Sequence, residues 1–411
     1  MPAHFQSGPR RKLKQNSSTT LTNLGLLAHV DRAKFPPLAA LAGAAMDSNS
    51  TPRVIRQILA LVLAGRCFTD VQVRSGAALA IREPRGYVAC QEGRLDSAEV
   101  EAFAQWIDPD WRGRLAQGGG HFDAALTLGE HSRLRCNVFR CGPGDRLAMT
   151  VRWLPFHVPA PDILGLPRAL VAQIDPLRRG LILVTGPTGA GKTTTLACLL
   201  EQINHHRPAH ILTVEQPVEY LLESRKSVVT QREIPTHLQH FAAGLEAARR
   251  QRPDVLMIGE CRDRATVDTM LQAADAGHLV LGTLHARSAE EACQALLGFY
   301  GGDELQQRRS LLAAVLLCIN SQVLTPSADG RRLHLSCELL INNAATAAVI
   351  RQGKLSQLEN TVATGGTQAG ASVLLNAALA DRVRREEITY EDALRDSYRP
   401  EALQRLLSVR A

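Results

Sequence analysis

Residues 181–203 read LILVT-GPTGAGKT-TTLACLLEQI, and no other stretch restricts the fold of this chain as tightly. A short apolar run enters a glycine-rich loop and a helical pattern leaves it. The spacing G-x-x-x-x-G-K-T between a strand and a helix is that of a phosphate-cradling loop. Gly186, Gly189 and Gly191 let the backbone wrap an anion with its N–H groups inward. Pro187, Thr188, Ala190 and Thr194 complete the loop. The helix starting near Lys192 turns its positive end toward the same anion. Lys192 is expected to reach the β- and γ-phosphates, and the Thr193 hydroxyl to ligate magnesium. The expected ligand is a nucleoside triphosphate with Mg2+.

Strands that follow such a loop carry the chemistry at their carboxyl ends. ILTVEQPVEY puts Glu215 at that edge, with Glu219 past Pro217. DVLMIGECRD is an apolar run tipped by Glu260. A carboxylate at the tip of a buried strand needs a cation or hydrogen bonds to offset desolvation. Glu260 is the candidate for polarising the attacking water, or for holding magnesium through water. Glu215 is the candidate for magnesium and water positioning. In-line attack on a γ-phosphate needs little beyond positioning and charge. Either carboxylate taken singly reads as well as a surface group; the phosphate loop beside them is what favours a catalytic reading. In AGHLVLGTLHARS, His285 at the carboxyl end is a candidate donor to the γ-phosphate, while His278 reads equally well as a structural residue. Arg232, Arg249, Arg250 and Arg252 lie between the second and third strands. One of them, from a neighbouring subunit, is a candidate to neutralise developing charge. The plain alternative is a solvated helix face.

The 411 residues suffice for two or three domains at roughly 100–200 residues each. Residues 1–50 read as a basic, partly disordered extension. Residues 51–154 read as a small α+β domain. Within it, helices are expected over 53–65 and 95–107, the latter capped by Ser97, with strands over 67–73, 86–90, 121–128, 132–141 and 145–155. Residues 155–167 form a stiff linker, because proline fixes its own torsion and lacks a backbone donor. From 168 to 324 strands alternate with helices, the signature of a parallel sheet. Its strands are expected over 181–185, 210–214, 255–258 and 278–282. Residues 325–411 read as mostly helical, with a last helix capped by Thr389 and Asp392.

Composition excludes some classes. The net charge of +7 permits contact with anions without choosing among them. Aromatics at 4% argue against stacking platforms for single-stranded nucleic acid. No apolar run reaches the ~18 residues needed to cross a bilayer, and the basic start lacks the apolar segment of a secretory signal. The nine cysteines include no CxxC pair, which fits reduced thiols in a cytoplasm without a structural zinc.

Four motifs now stand in order: GPTGAGKTTT, ILTVEQPVEY, DVLMIGECRD and AGHLVLGTLHARS. Together they resemble the ATPases that drive type II secretion and type IV pili, over about residues 60–395. The tail RRLHLSCELLINNAATAAVIRQGK is similar to that of the pilus retraction branch. The resemblance implies an α/β fold in which a PAS-like domain precedes a RecA-like domain and a helical C-terminal region. It implies ATP hydrolysis in a homo-hexameric ring, an inner-membrane platform protein as partner, and a paralogous motor ATPase as a further candidate partner. It places the protein in the cytoplasm, at the inner face of the bacterial inner membrane, with no specific nucleic acid. Arg133, Arg135 and Arg140 become candidates to reach a neighbour's nucleotide. Departures from the family pattern are Gln216 for an aspartate, Glu246 for an arginine, Arg252 for an aspartate, Cys261 for Met or Ile, and Ala347 for an arginine. Two other readings stand beside the motor. One is an accessory subunit with weak turnover, which Gln216 and Glu246 favour. The other is a conjugation or DNA-uptake ATPase, which the basic charge permits.

Overall fold

The computed structural model describes residues 51–64, 66–128, 132–155, 158–174, 176–234, 236–365 and 372–408. The extension expected over 1–50 lies outside them. Helix α1 (Arg53–Leu63) buries Val54, Ile55, Ile58, Leu59 and Val62 along one stripe. It packs with α2 (Ser97–Ile107) and α3 (Trp111–Gln117) on a six-stranded antiparallel sheet. The strands are β1 (Asp70–Arg74), β2 (Ala78–Glu83), β3 (Gly86–Arg94), β4 (His121–Leu128), β5 (Ser132–Cys141) and β6 (Arg146–Pro155), in the order β3-β2-β1-β6-β5-β4. The three strands expected over 121–155 are β4, β5 and β6. β2 was not expected: only Leu79 and Ile81 face the core, too short an alternation to stand out. The cap of α2 is Asp96, one residue before the expected Ser97. Asp96 is extended and accepts from the Glu99 N–H at 2.8 Å, while Glu99 accepts from the Asp96 N–H at 2.9 Å. Ser97 already belongs to the first turn.

The linker carries one helical turn, α4 (Pro161–Leu164), with proline where a missing N–H is tolerated. Beyond it come α5 (Arg168–Ile174), β7 (Gly180–Thr185), α6 (Lys192–His206), β8 (His210–Glu215), β9 (Val228–Glu233), α7 (Phe241–Arg249), β10 (Val255–Ile258), α8 (Arg264–Asp275) and β11 (Leu279–Leu284). Helices α9 (Ala289–Leu297) and α10 (Gly302–Val315) lead into the hairpin β12 (Leu316–Pro326) and β13 (Leu333–Ile341). The seven-stranded sheet has the order β13-β12-β7-β11-β10-β8-β9, parallel except for β13. β7 shows why its strand is uniformly apolar. Leu181 and Leu183 join the core under α8–α10, and Ile182 and Val184 join the core under α5 and α6. β9 and the hairpin escape the sequence reading. β9 is a polar edge strand, VVTQRE, with no clean alternation. α10 passes into β12 without a break, so one apolar run hides the boundary.

Helices α11 (Ala344–Gln352), α12 (Leu358–Gly365), α13 (Leu375–Arg384), α14 (Tyr390–Asp396) and α15 (Pro400–Ser408) follow the hairpin. Thr389 caps α14 as expected, accepting from the Asp392 N–H at 3.1 Å. The loop between β2 and β3 reaches this region: Arg85 lies 3.1 Å from Asp392 and donates to the Ser327 and Ala328 carbonyls at 3.3 and 3.4 Å. On β13 the buried Glu338 accepts from the Ala289 N–H at 2.9 Å and from the Tyr398 hydroxyl. Burial raises the Glu338 carboxyl above its ordinary value, and those two donors offset only part of that rise. Tyr398→Phe removes one donor from a buried carboxyl. It should cost about 1–3 kcal/mol in urea unfolding. An unchanged midpoint would show that the hydroxyl contributes nothing.

Candidate functional site

Gly186, Gly189 and Gly191 have φ of 148°, 81° and 80°, a region that residues with a Cβ rarely occupy. At Gly186 the space is also closed: a Cβ there would come within 2.3 Å of the Gln322 carbonyl oxygen. The loop therefore curls between β7 and the start of α6, and Lys192 is the first residue of that helix. Its ammonium donates to the Gly186 and Pro187 carbonyls at 2.9 and 3.0 Å, and lies 3.4 Å from His285 Nδ1. His285 Nε2 lies 3.1 Å from Glu260 Oε1. A ring protonated on Nε2 satisfies both contacts: it accepts from Lys192 and donates to Glu260. Arg262 donates to the other Glu260 oxygen at 2.6 Å. Burial pushes the Glu260 carboxyl up, but Arg262, His285 and Lys192 outweigh it and hold the group below its ordinary value. Burial lowers the Lys192 ammonium, against the opposing pull of Glu260 and Glu219.

Glu215 ends β8 and is 3% exposed. It accepts from the Thr213 hydroxyl at 2.7 Å and from the Gln231 amide at 3.1 Å. Desolvation dominates, and its carboxyl is pushed up to about 7. Glu219 lies 4.0 Å from Arg135 of β5, so the first unit touches the acidic segment of the second. Tyr220 of the same segment lies 2.9 Å from the Thr194 hydroxyl, tying it to α6. Thr193 is half-buried in the first turn of that helix.

Not all candidates converge. Arg232 pairs with Val214 in the sheet register, but its guanidinium donates to the His237 carbonyl at 3.2 Å. The side chain that reaches Glu215 is its neighbour Gln231, because successive residues of β9 face opposite sides. Arg250 follows α7 just before β10, at the amino edge of the sheet, away from the loop. It is exposed and lies 4.0 Å from Glu246. His278 stands at the same edge, its Nδ1 2.7 Å from the Pro253 carbonyl oxygen, a structural role. Sequence reasoning missed Gln231, Tyr220 and Arg262. Arg262 stands inside DVLMIGECRD two residues past Glu260, a signal that was available. Gln231 had none, since β9 itself was not visible.

Oxygen donors suit Mg2+. The Thr193 hydroxyl, Glu215 and Glu260 are such a set, and a buried carboxyl raised to about 7 is one that a cation would stabilise as the anion.

A family model described as "Type II/IV secretion system protein" matches residues 166–354. An uncharacterized protein, YggR, of Escherichia coli strain K12 is 42% identical over 279 residues, covering 66% of this chain and 84% of its own. A twitching motility protein of Neisseria gonorrhoeae is 35% identical over 309 residues, 75% of this chain and 81% of its own. Among solved structures, the pilus retraction motor PilT with bound ADP superposes with a TM-score of 0.73 at 34% identity, covering 86% of this chain and 98% of that one.

The Glu215 carboxyl predicts a pH dependence. In the folded chain it keeps its proton up to about 7, against an ordinary value of 4.5. Between those values the folded state binds more protons than the unfolded one, so stability falls as pH rises through the window. Without nucleotide or divalent cation, the melting temperature should drop more from about pH 5 to about pH 8 in wild type than in Glu215→Gln. Equal drops would show that Glu215 is already ionised at the lower pH.

Proposed function

Since the chain belongs to the type II/IV secretion system protein family, we propose that it works as an ATP-hydrolysing motor of a type IV pilus, in a retraction-like role. The observation that carries the chemistry is the contact chain Lys192–His285–Glu260 at the mouth of the phosphate loop. Bound ATP supplies oxygens that take the place of the Gly186 and Pro187 carbonyls around the Lys192 ammonium. His285 then loses its partner on Nδ1, and a proton taken up on that nitrogen would let it donate to the γ-phosphate while Nε2–H still donates to Glu260. Glu260, held anionic by Arg262 and His285, orients and polarises the attacking water. Thr193 and, partly through water, Glu215 and Glu260 would hold Mg2+, which neutralises charge on the phosphates. Glu219 and Arg135 bring the first unit up to the nucleotide, so a change there bears on both units. Arg232 and Arg250 face away from this chain's own loop, and in the proposed homo-hexamer they are left for a neighbour.

Work is transmitted by rotation of the two units about the 155–167 linker, acting on a platform protein of the inner membrane. No helix among the described residues is long and apolar enough to cross a membrane, so the proposed place is peripheral, at the inner face. A paralogous motor ATPase is a further proposed partner.

Steady-state ATPase activity against protein concentration tests the reading. Activity should rise cooperatively as the ring assembles. Glu260→Gln should retain ATP binding and lose at least about tenfold in turnover. Turnover within about twofold of wild type would remove Glu260 from this role. Lys192→Ala should lose tight nucleotide binding, and unchanged affinity would sink the phosphate-loop assignment.

A further inference from the structure

Gln322 lies on β12, on the opposite flank of β7 from Glu215 and Glu260, and is 1% exposed. Its side-chain amide donates to the Ala190 carbonyl at 2.6 Å. Its side-chain oxygen accepts from the Thr195 hydroxyl at 3.0 Å and from the Asn320 amide at 2.9 Å. Both partners are buried. One residue away, the Ser321 hydroxyl accepts from Thr185 at 2.8 Å, joining β12 to the last residue of β7. The backbone of Gln322 is also what closes the space above Gly186. One side chain therefore grips the phosphate loop and the first turn of α6 from behind.

The consequence follows from peptide geometry. In a trans peptide the carbonyl and the next N–H point to opposite sides. With the Ala190 carbonyl drawn back onto Gln322, the N–H of Gly191 is turned to the other side, into the concave face of the loop. Gly191 has φ of 80°, and glycine there leaves this peptide soft. The orientation thus depends on a partner, and a buried amide has no water to compete with it. The Gln322 amide supplies both the donor that the Ala190 carbonyl takes and the acceptor shared by Thr195 and Asn320.

We propose that Gln322 is a positioning residue for nucleotide binding, setting the 190–191 peptide so that the loop presents its N–H groups to a polyphosphate. This rests on the nucleotide reading above. The effect is confined to the phosphates: the nucleoside portion does not sense Gln322. Phosphates bound by the loop are held alike in the ground and transition states, so losing the grip raises KM and leaves kcat.

The test measures displacement of a fluorescent ADP analogue from the full chain by ADP, pyrophosphate and adenosine. It compares wild type with Gln322→Met, a similar shape without donor or acceptor. ADP and pyrophosphate affinity should fall about tenfold, while adenosine stays within about twofold. KM for ATP should rise with kcat within about twofold. Unchanged ADP affinity in the folded variant overturns the proposal. So does an equal loss for adenosine, which would mean a general collapse of the site. Should Gln322→Met not fold, Thr195→Val decides. It removes one of the two donors that hold the Gln322 amide in orientation, leaving Asn320, and should weaken ADP about threefold without touching adenosine. Unchanged ADP binding there overturns the proposal. Absence of ADP binding in wild type would overturn the nucleotide reading and this inference together; wild-type binding with unaffected variants overturns this inference alone.

Discussion

Three segments far apart in sequence meet at the Lys192 ammonium. Its contacts are the Gly186 and Pro187 carbonyls and the ring of His285, and through that ring it is linked to Glu260. The meeting requires that β7 and β11 be neighbours. Thr185 and Leu284 are register partners at the ends of those strands, so the loop and the histidine leave the sheet at one edge. Glu260 arrives from β10, the next strand across. A cation half-withdrawn from water and faced by carboxylates remains a strong ligand for phosphate while keeping its neighbours ionised. The parallel sheet exists, in functional terms, to hold these strand ends in order.

The site does not belong to the second unit alone. Arg135 of the first unit faces Glu219, and Arg152, its register partner on β6, donates to Asp70 at 2.9 Å. At the far side Arg85 reaches Asp392 and two carbonyls of the hairpin turn. These contacts are partly exposed and polar, the kind that contributes little individually. The Arg135–Glu219 and Arg85 contacts orient the units without locking them, which suits the proposed relative rotation.

The residues proposed to meet the nucleotide are legible because their spacing is local. The glycines, Lys192 and Thr193 sit within one loop, and Glu215, Glu260 and His285 each end an apolar run that announces a buried strand. Ala347, read as a departure from the family, is buried in α11 in the core beneath α9 and α10. What supports these residues was not legible. Gln231 lies on a polar edge strand, Gln322 on a strand continuous with a helix, and neither pattern carries a periodic signal. Arg232 stands out in the sequence by its charge, yet alternation along β9 gives the contact with Glu215 to the neighbouring Gln231 amide.

The sequence by itself determined the chemistry: a phosphate loop, the carboxylates and the histidine, each fixed by residues close together in the chain. Tertiary structure decided which strand lies beside which, and therefore which amide steadies Glu215, which guanidinium faces Glu260, and which side chain grips the loop from behind. Those choices depend on sheet order and on which face a side chain takes, and both are set by packing across the sheet rather than by neighbours along the chain.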